Sequence, residues 1–291
     1  MIIINCGDAM NWMMRPVLVI GNGPVSDALV KKLLDEYAYV YFWDPFENKR
    51  PEYEPIQVIR RNVENIEEDE SFLRSPMSVF FTISNGMAEE KIELVQKILE
   101  RVLKAISDRK TRFVVGLYSM NDYSKNIVEN ILEIIKTNKR EFSTLLYLGD
   151  VYGENVRKGV VFYALNQLKK NSSRPKIALN PRERRNHIHI EDAVRSMMMA
   201  SDRVEEIKAY NVAGTTVENR TIIRKLIRFL GIDGVCKVNF SAGEKEALKI
   251  NFEKLTWFKP KVKLNEGLKR TIGWFEVEYG PILVCQDHHE E

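Results

Sequence analysis

The stretch PVLVIGNGPVSDALVKKLLDEYAYVYFWDP, residues 16–45, constrains this chain's fold more than any other. Val17 to Ile20 is a short unbroken apolar run, the pattern of a strand covered on both faces. Gly21, Asn22, Gly23 and Pro24 interrupt it. From Val25 the apolar residues return at helical spacing (Val25, Ala28, Leu29, Leu33), with Asp27, Lys31, Lys32 and Asp35 opposite. A second apolar run, Tyr39 to Trp43, ends at Asp44. Strand, glycine turn, helix and strand ending in an acid is the order of a dinucleotide-binding unit.

Each part of that unit has a physical task. Gly21 lets the chain turn sharply off the strand, and Gly23 lets the backbone approach a pyrophosphate with no Cβ in the way. The helix that begins at Pro24 and Val25 would turn its unpaired N–H groups toward the phosphates. Asp44 lies about 20 residues beyond Gly21, the offset of a carboxylate that binds an adenosine ribose. Ser26 stands where the fingerprint has its third glycine, and it is still small enough for close packing. An ordinary βαβ turn without a ligand is the competing interpretation.

The rest of the chain repeats the alternation. Strands are expected at Ile56–Ile59, Val79–Ile83, Arg112–Leu117 and Phe142–Leu148, and amphipathic helices at Ala88–Ile106 and Asp122–Ile135. That pattern predicts an α/β fold, a Rossmann-type doubly wound parallel sheet with right-handed crossovers. Ser84, Asn85 and Gly86 close the fourth strand at its carboxyl end, where ligands of such sheets sit, so Ser84 joins the cofactor candidates. Lys49 and Arg50 follow Asp44 in a proline-rich charged loop. An arginine there accepts a 2′-phosphate, so both NAD and NADP stay open.

At 291 residues the chain holds one large or two modest domains. Its 44% hydrophobic and 29% charged residues suit a soluble globular protein, and a net charge of +3 argues against nucleic acid. No apolar run reaches membrane-spanning length, and the first residues lack the basic start of a signal peptide. Cys6, Cys236 and Cys285 are few and far apart, without metal-ligand spacing. They fit a reducing cytoplasm and no metal site.

Five further segments resemble the extended short-chain dehydrogenase/reductases, in the branch of nucleotide-sugar epimerases, dehydratases and reductases. YSKNIVENIL (123–132) is similar to that family's active-site helix, through Ser124, Lys125 and Glu129. GDVYGEN (149–155) resembles its NVYGP turn, and RNHIHIEDAVRSM (185–197) its R-x-x-x-H-V-x-D-V segment. YNVAG (210–214) and WFKPKVKLNEGLKRTIGWF (257–275) resemble its YNVG strand and its closing KPKVSLEEGLRRTIEWY segment. The resemblance implies a cofactor domain over 1–147. It also implies a smaller substrate-binding lobe over 148–291, partly interwoven with the sheet. It implies NAD or NADP as cofactor and a nucleotide-diphosphate sugar as substrate, with Arg185 on the diphosphate and Asp150 beside it. His189 and Asp192 would be structural, and the two amphipathic helices would form a homodimer.

The same resemblance exposes a departure. The family's proton-transferring tyrosine stands four residues before the lysine, which orients the nicotinamide ribose and lowers the tyrosine's pKa. Here that position is Asn121. Tyr123 and Tyr118 lie two and seven residues before Lys125, and Ser119 stands where the catalytic serine follows the fifth strand. The segment that normally separates serine from tyrosine is almost absent. Three explanations compete: Tyr118 or Tyr123 supplies the proton; Asp122, water or Lys125 replaces a tyrosine; or catalysis has been lost and a binding or assembly protein remains. The expected function is a 4-keto-sugar reductase, with epimerase or dehydratase, and the inactive relative, as alternatives.

Overall fold

A computed structural model of the chain describes residues 12, 15–36, 38–46, 57–58, 78–84, 92–106, 110–118, 125–138, 142–203, 207–241 and 252–283. Strand β1 (Pro16–Ile20) is paired in parallel on both edges, with β2 (Tyr39–Trp43) and with β4 (Ser78–Ser84). Helices cover both its faces as well, and its residues 17–20 are fully buried. That is why the sequence there is a continuous apolar run and not an alternation.

The remaining strands of the main sheet are β3 (Gln57–Val58), β5 (Arg112–Tyr118), β6 (Ser143–Tyr147), β10 (Lys208–Asn211) and β13 (Glu253–Lys254). They stand in the order β13-β10-β6-β5-β4-β1-β2-β3, every neighbouring pair parallel. The chain leaves β1 toward β2 and β3, then returns to β4 on the other side. β1 and β4 therefore flank a topological switch point, where a crevice opens at the carboxyl ends of the strands.

Successive residues of a strand face opposite sides, and each side has its own core. Val17, Val19, Phe80 and Val114 pack with helices α1 (Pro24–Asp35) and α5 (Ile190–Arg203). Leu18, Ile20, Phe81, Ile83 and Val115 pack with α2 (Ile92–Ala105) and α3 (Lys125–Thr137). The residues before the first strand join the first core through Trp12, which is buried 6.0 Å from the Phe80 ring. Arg15 stacks on Trp12 and pairs with Asp202 at 3.1 Å.

Beyond β6 the chain builds a second body. Strands β7 (Asp150–Tyr152), β9 (Arg184–His189) and β11 (Thr215–Glu218) form one small sheet, and β8 (Lys176–Ala178) with β12 (Asn239–Ser241) another. Helices α4 (Gly159–Lys170), α6 (Asn219–Phe229) and α7 (Leu264–Tyr279) enclose a third core around Leu165, Leu226, Leu268 and Phe275. β10 and β13 lie in this part of the sequence, yet both extend the main sheet.

Element ends shift slightly from the sequence expectation: the helix expected from Asp122 is described from Lys125 and runs to Thr137, and β4 gains Ser78 and Ser84. Residues 1–11, Lys49, Arg50, Asn85, Gly86, Ala88, Ser119, Asn121, Asp122, Tyr123 and Ser124 lie outside the described residues, as do Cys6 and Cys285.

Candidate functional site

The carboxyl ends of β1, β2, β4 and β5 bring together eight residues singled out in the sequence: Gly21, Asn22, Gly23, Pro24, Val25, Asp44, Ser84 and Tyr118. The turn after β1 is left-handed at both glycines, with φ 133° at Gly21 and 102° at Gly23. A Cβ on Gly21 would lie 2.3 Å from Thr82 Oγ1 and 2.7 Å from the Thr82 carbonyl oxygen, so this glycine lets the turn press against β4. A Cβ on Gly23 would meet a single group within 4 Å among the described residues, the Tyr118 hydroxyl at 3.0 Å. Among the described residues Gly21 is crowded by β4 and Gly23 is not.

Helix α1 starts on this turn. Gly23 is its N-cap, Pro24 occupies its first turn, and no side-chain cap hydrogen bond forms there among the described residues. Proline costs nothing at that position, because the N–H it lacks has no partner inside the helix. Ser26 is fully buried and donates its hydroxyl to the Gly23 carbonyl at 2.8 Å. The serine thus fits the close packing that its small size allows, and it tightens the turn.

Asp44 follows directly. The Gly21 amide donates to the Trp43 carbonyl at 3.0 Å, which sets the next residue, Asp44, beside the glycine turn. Its Oδ1 accepts the Phe46 amide at 2.9 Å, a turn that fixes the carboxylate at the end of β2. Ser84 and Tyr118 are register partners at the ends of β4 and β5, and their side chains are hydrogen-bonded. Burial pushes the Tyr118 phenol well above its usual pKa; the Ser84 hydrogen bond opposes the shift and the charge of Asp27 adds to it. Lys125 opens α3, and its side chain lies outside the described residues, as do Ser119 and Tyr123.

A second polar group forms on the small sheet. Arg185 pairs with Asp150 at 3.3 Å and with Glu183 at 2.9 Å, and its side chain is nearly buried. Burial lowers the affinity of this guanidinium for its proton, but the two carboxylates outweigh it and raise its pKa. His187 shares the Arg185 face of β9. It is buried, has no hydrogen-bond partner on either ring nitrogen among the described residues, and is held neutral mainly by burial. His189 lies 3.2 Å from Glu154 and edge-on to Tyr152, while Arg270 bridges Glu154 and Glu191. Asp192 accepts the Lys261 and Val262 amides and Arg195.

Sequence reasoning missed Thr82, Glu183, Glu154 and Arg270, and it found no signal in His187. Thr82 and His187 were within reach of a simple test: each lies two residues from a candidate, Ser84 or Arg185, on the same strand face. Nothing in the sequence pointed to Glu183 or Arg270. The described residues contain no cluster of metal-ligating side chains and no helix long and apolar enough to cross a membrane.

The glycine turn, with no side-chain cap on the helix it opens and an acid beside it, is suited to a diphosphate, and Arg185, held between two acids on the small sheet, is a separate cationic group. Residues 106–213 match the model of the NAD dependent epimerase/dehydratase family. The match spans β5 to β10 and excludes the glycine turn. Among solved structures, the chain is similar to a UDP-glucose 4-epimerase from Thermotoga maritima with UDP-glucose. The TM-score is 0.71 at 16% identity, over 90% of this chain and 99% of that one. It is also similar to a dTDP-glucose 4,6-dehydratase from Bacillus anthracis in complex with NAD. There the TM-score is 0.73 at 15% identity, over 91% and 97% of the two chains. A UDP-N-acetylglucosamine 4-epimerase from Methanobrevibacter ruminantium, in complex with UDP-N-acetylmuramic acid, gives 0.71 at 15% identity, over 91% and 99%. At these identities the likeness is one of fold. A comparison with curated proteins gives no match. The segments at 123–132, 149–155 and 185–197, with nearly all of 210–214, fall within the matched stretch, and 257–275 lies beyond it.

Proposed function

We propose that this chain, with the pattern of the NAD dependent epimerase/dehydratase family over residues 106–213 and that fold throughout, is an NAD(P)-dependent oxidoreductase of nucleotide-diphosphate sugars. The observation that carries the proposal is the turn at Gly21 and Gly23. It lies at the switch point of the sheet, at positive φ at both glycines, with room at the missing Gly23 Cβ among the described residues. That room and the uncapped start of α1 fit a dinucleotide diphosphate. Gly21, Asn22, Gly23, Pro24 and Val25 would hold it, Asp44 would take the adenosine ribose, and Ser84 would border the site. The bound coenzyme would supply hydride exchange.

Lys125 would orient the nicotinamide ribose, with Ser119 beside the substrate. Asp150 and Arg185 would bind the sugar nucleotide's diphosphate, a task suited to a planar, always-charged guanidinium. Of the two candidate proton donors, Tyr118 is turned to Gly23, and burial makes it a weaker acid. Tyr123 is therefore the donor we favour for the proton that reaches the sugar oxygen. The preferred reaction is reduction of a 4-keto sugar, because one-way hydride delivery asks least of an altered proton donor. Epimerase and dehydratase chemistry use the same groups. A cytoplasmic homodimer, paired through α2 and α3, completes the proposal.

A second reading rests on Asn121, which stands where the family has its tyrosine. In that reading the chain binds coenzyme and acts as a binding or assembly protein. Turnover separates the two. Mixing the protein with NADH or NADPH and a 4-keto sugar nucleotide should consume reduced coenzyme, followed at the nicotinamide absorbance. Lys125→Ala should abolish that consumption. Coenzyme binding without turnover of any 4-keto, 4-hydroxy or dehydratable sugar nucleotide assigns the chain to the second reading.

A further inference from the structure

Strand alternation places Phe80, Thr82 and Ser84 on one face of β4, and Phe80 belongs to the core under α1. Tyr118, on the neighbouring strand, belongs to the same core. Three hydroxyls therefore line the α1 side of the sheet where β4 and β5 meet the glycine turn. Thr82 Oγ1 is fully buried, has no hydrogen-bond partner among the described residues, and lies where a Gly21 Cβ would be. The Ser84 hydroxyl is bonded to Tyr118. The Tyr118 hydroxyl stands at the rim of the room left by Gly23, 3.0 Å from the missing Cβ.

A buried hydroxyl without a partner is costly, and a phenol at that depth is usually fully satisfied. An anion seated beside Gly23 would meet the Tyr118 hydroxyl, the group that faces the missing Cβ there. We propose that Tyr118 is a hydrogen-bond donor to the coenzyme's pyrophosphate, positioned by Ser84, and not the group that protonates the sugar. This inference rests on the dinucleotide reading above and adds a residue to it. Burial keeps the phenol protonated through neutral pH, so its O–H stays available as a donor there. Asp27, whose charge bears on the phenol, favours the same protonated form.

The test uses the full chain and three probes: NADH, ADP and adenosine, titrated by calorimetry into the unaltered protein, Tyr118→Phe and Ser84→Ala. Loss of a donor to a charged group weakens binding about tenfold to a hundredfold. Tyr118→Phe should show that loss with NADH and equally with ADP, and none with adenosine, which has no pyrophosphate. Ser84→Ala should weaken both phosphate-bearing probes less, and Ser84→Thr should restore them. If the unaltered protein binds none of the probes, the dinucleotide reading fails and the inference with it. If it binds NADH and ADP while Tyr118→Phe binds them as well or better, the inference alone is overturned. A loss confined to NADH, with ADP unchanged, also overturns it, because the phenol would then act at the nicotinamide end.

Discussion

Gly21 and Gly23 sit two residues apart, both at positive φ, yet they answer to different neighbours. A methyl at Gly21 runs into the Thr82 side chain and its carbonyl oxygen, and the backbone of a central strand cannot move aside. Gly21→Ala should therefore cost about 2–4 kcal/mol, summing backbone strain and overpacking. Thermal or urea unfolding measures that cost. A methyl at Gly23 meets, among the described residues, one phenol oxygen, at 3.0 Å and with no backbone atom in its way. Gly23→Ala should unfold close to the unaltered protein, apart from the strain of its positive φ, and should lose coenzyme binding. The pattern of glycines was legible in the sequence, because strand, turn and helix follow one another directly. Their partners were not, since Thr82 and Tyr118 come from strands far along the chain that only the sheet order brings to the turn.

Single segments gain their meaning from what they join. RNHIHIEDAVRSM reads as one motif, but the structure divides it between His189 and Ile190 into the end of β9 and the start of α5. The strand half carries Arg185 and His187, and the helix half carries Asp192. Asp192 is buried, and its two oxygens take the Lys261 and Val262 amides and Arg195, tying the loop before α7 to the start of α5. Asp192→Ala leaves those donors unpaired and should destabilise the protein by about 3 kcal/mol or more in urea unfolding.

Glu154 joins β7 to α7 in the same way. Burial opposes its ionisation, but the His189 ring beside it, its own backbone amide and a hydrogen bond from Arg270 outweigh burial and hold the carboxyl at about 2. An unfolded glutamate titrates near 4.5, so the folded state gains from this group above that pH. The gain fades as pH falls toward 2. Melting temperature plotted against pH should fall more steeply between 4.5 and 2 in the unaltered protein than in Glu154→Gln. The segment that holds α7 was singled out in the sequence by its resemblance alone, and this network was not visible at all. Ion pairs between elements leave no trace in local spacing.

At the scale of the molecule, the order β3-β2-β1-β4-β5-β6 explains why one turn dominates the sequence. It opens at the switch point, where strands leave in both directions and a ligand can lie across their ends. The doubly wound sheet was readable from the alternation of strands and helices. The small sheets β7-β9-β11 and β8-β12 were not, because strands of three to six residues carry too little periodicity to stand out. The account as a whole depends on coenzyme at that turn. The most direct measurement is calorimetric titration of the full chain with NADH and NADPH, beside Gly23→Ala. The account predicts saturable binding of one coenzyme per chain, abolished in the variant. A folded protein that takes up neither coenzyme contradicts it.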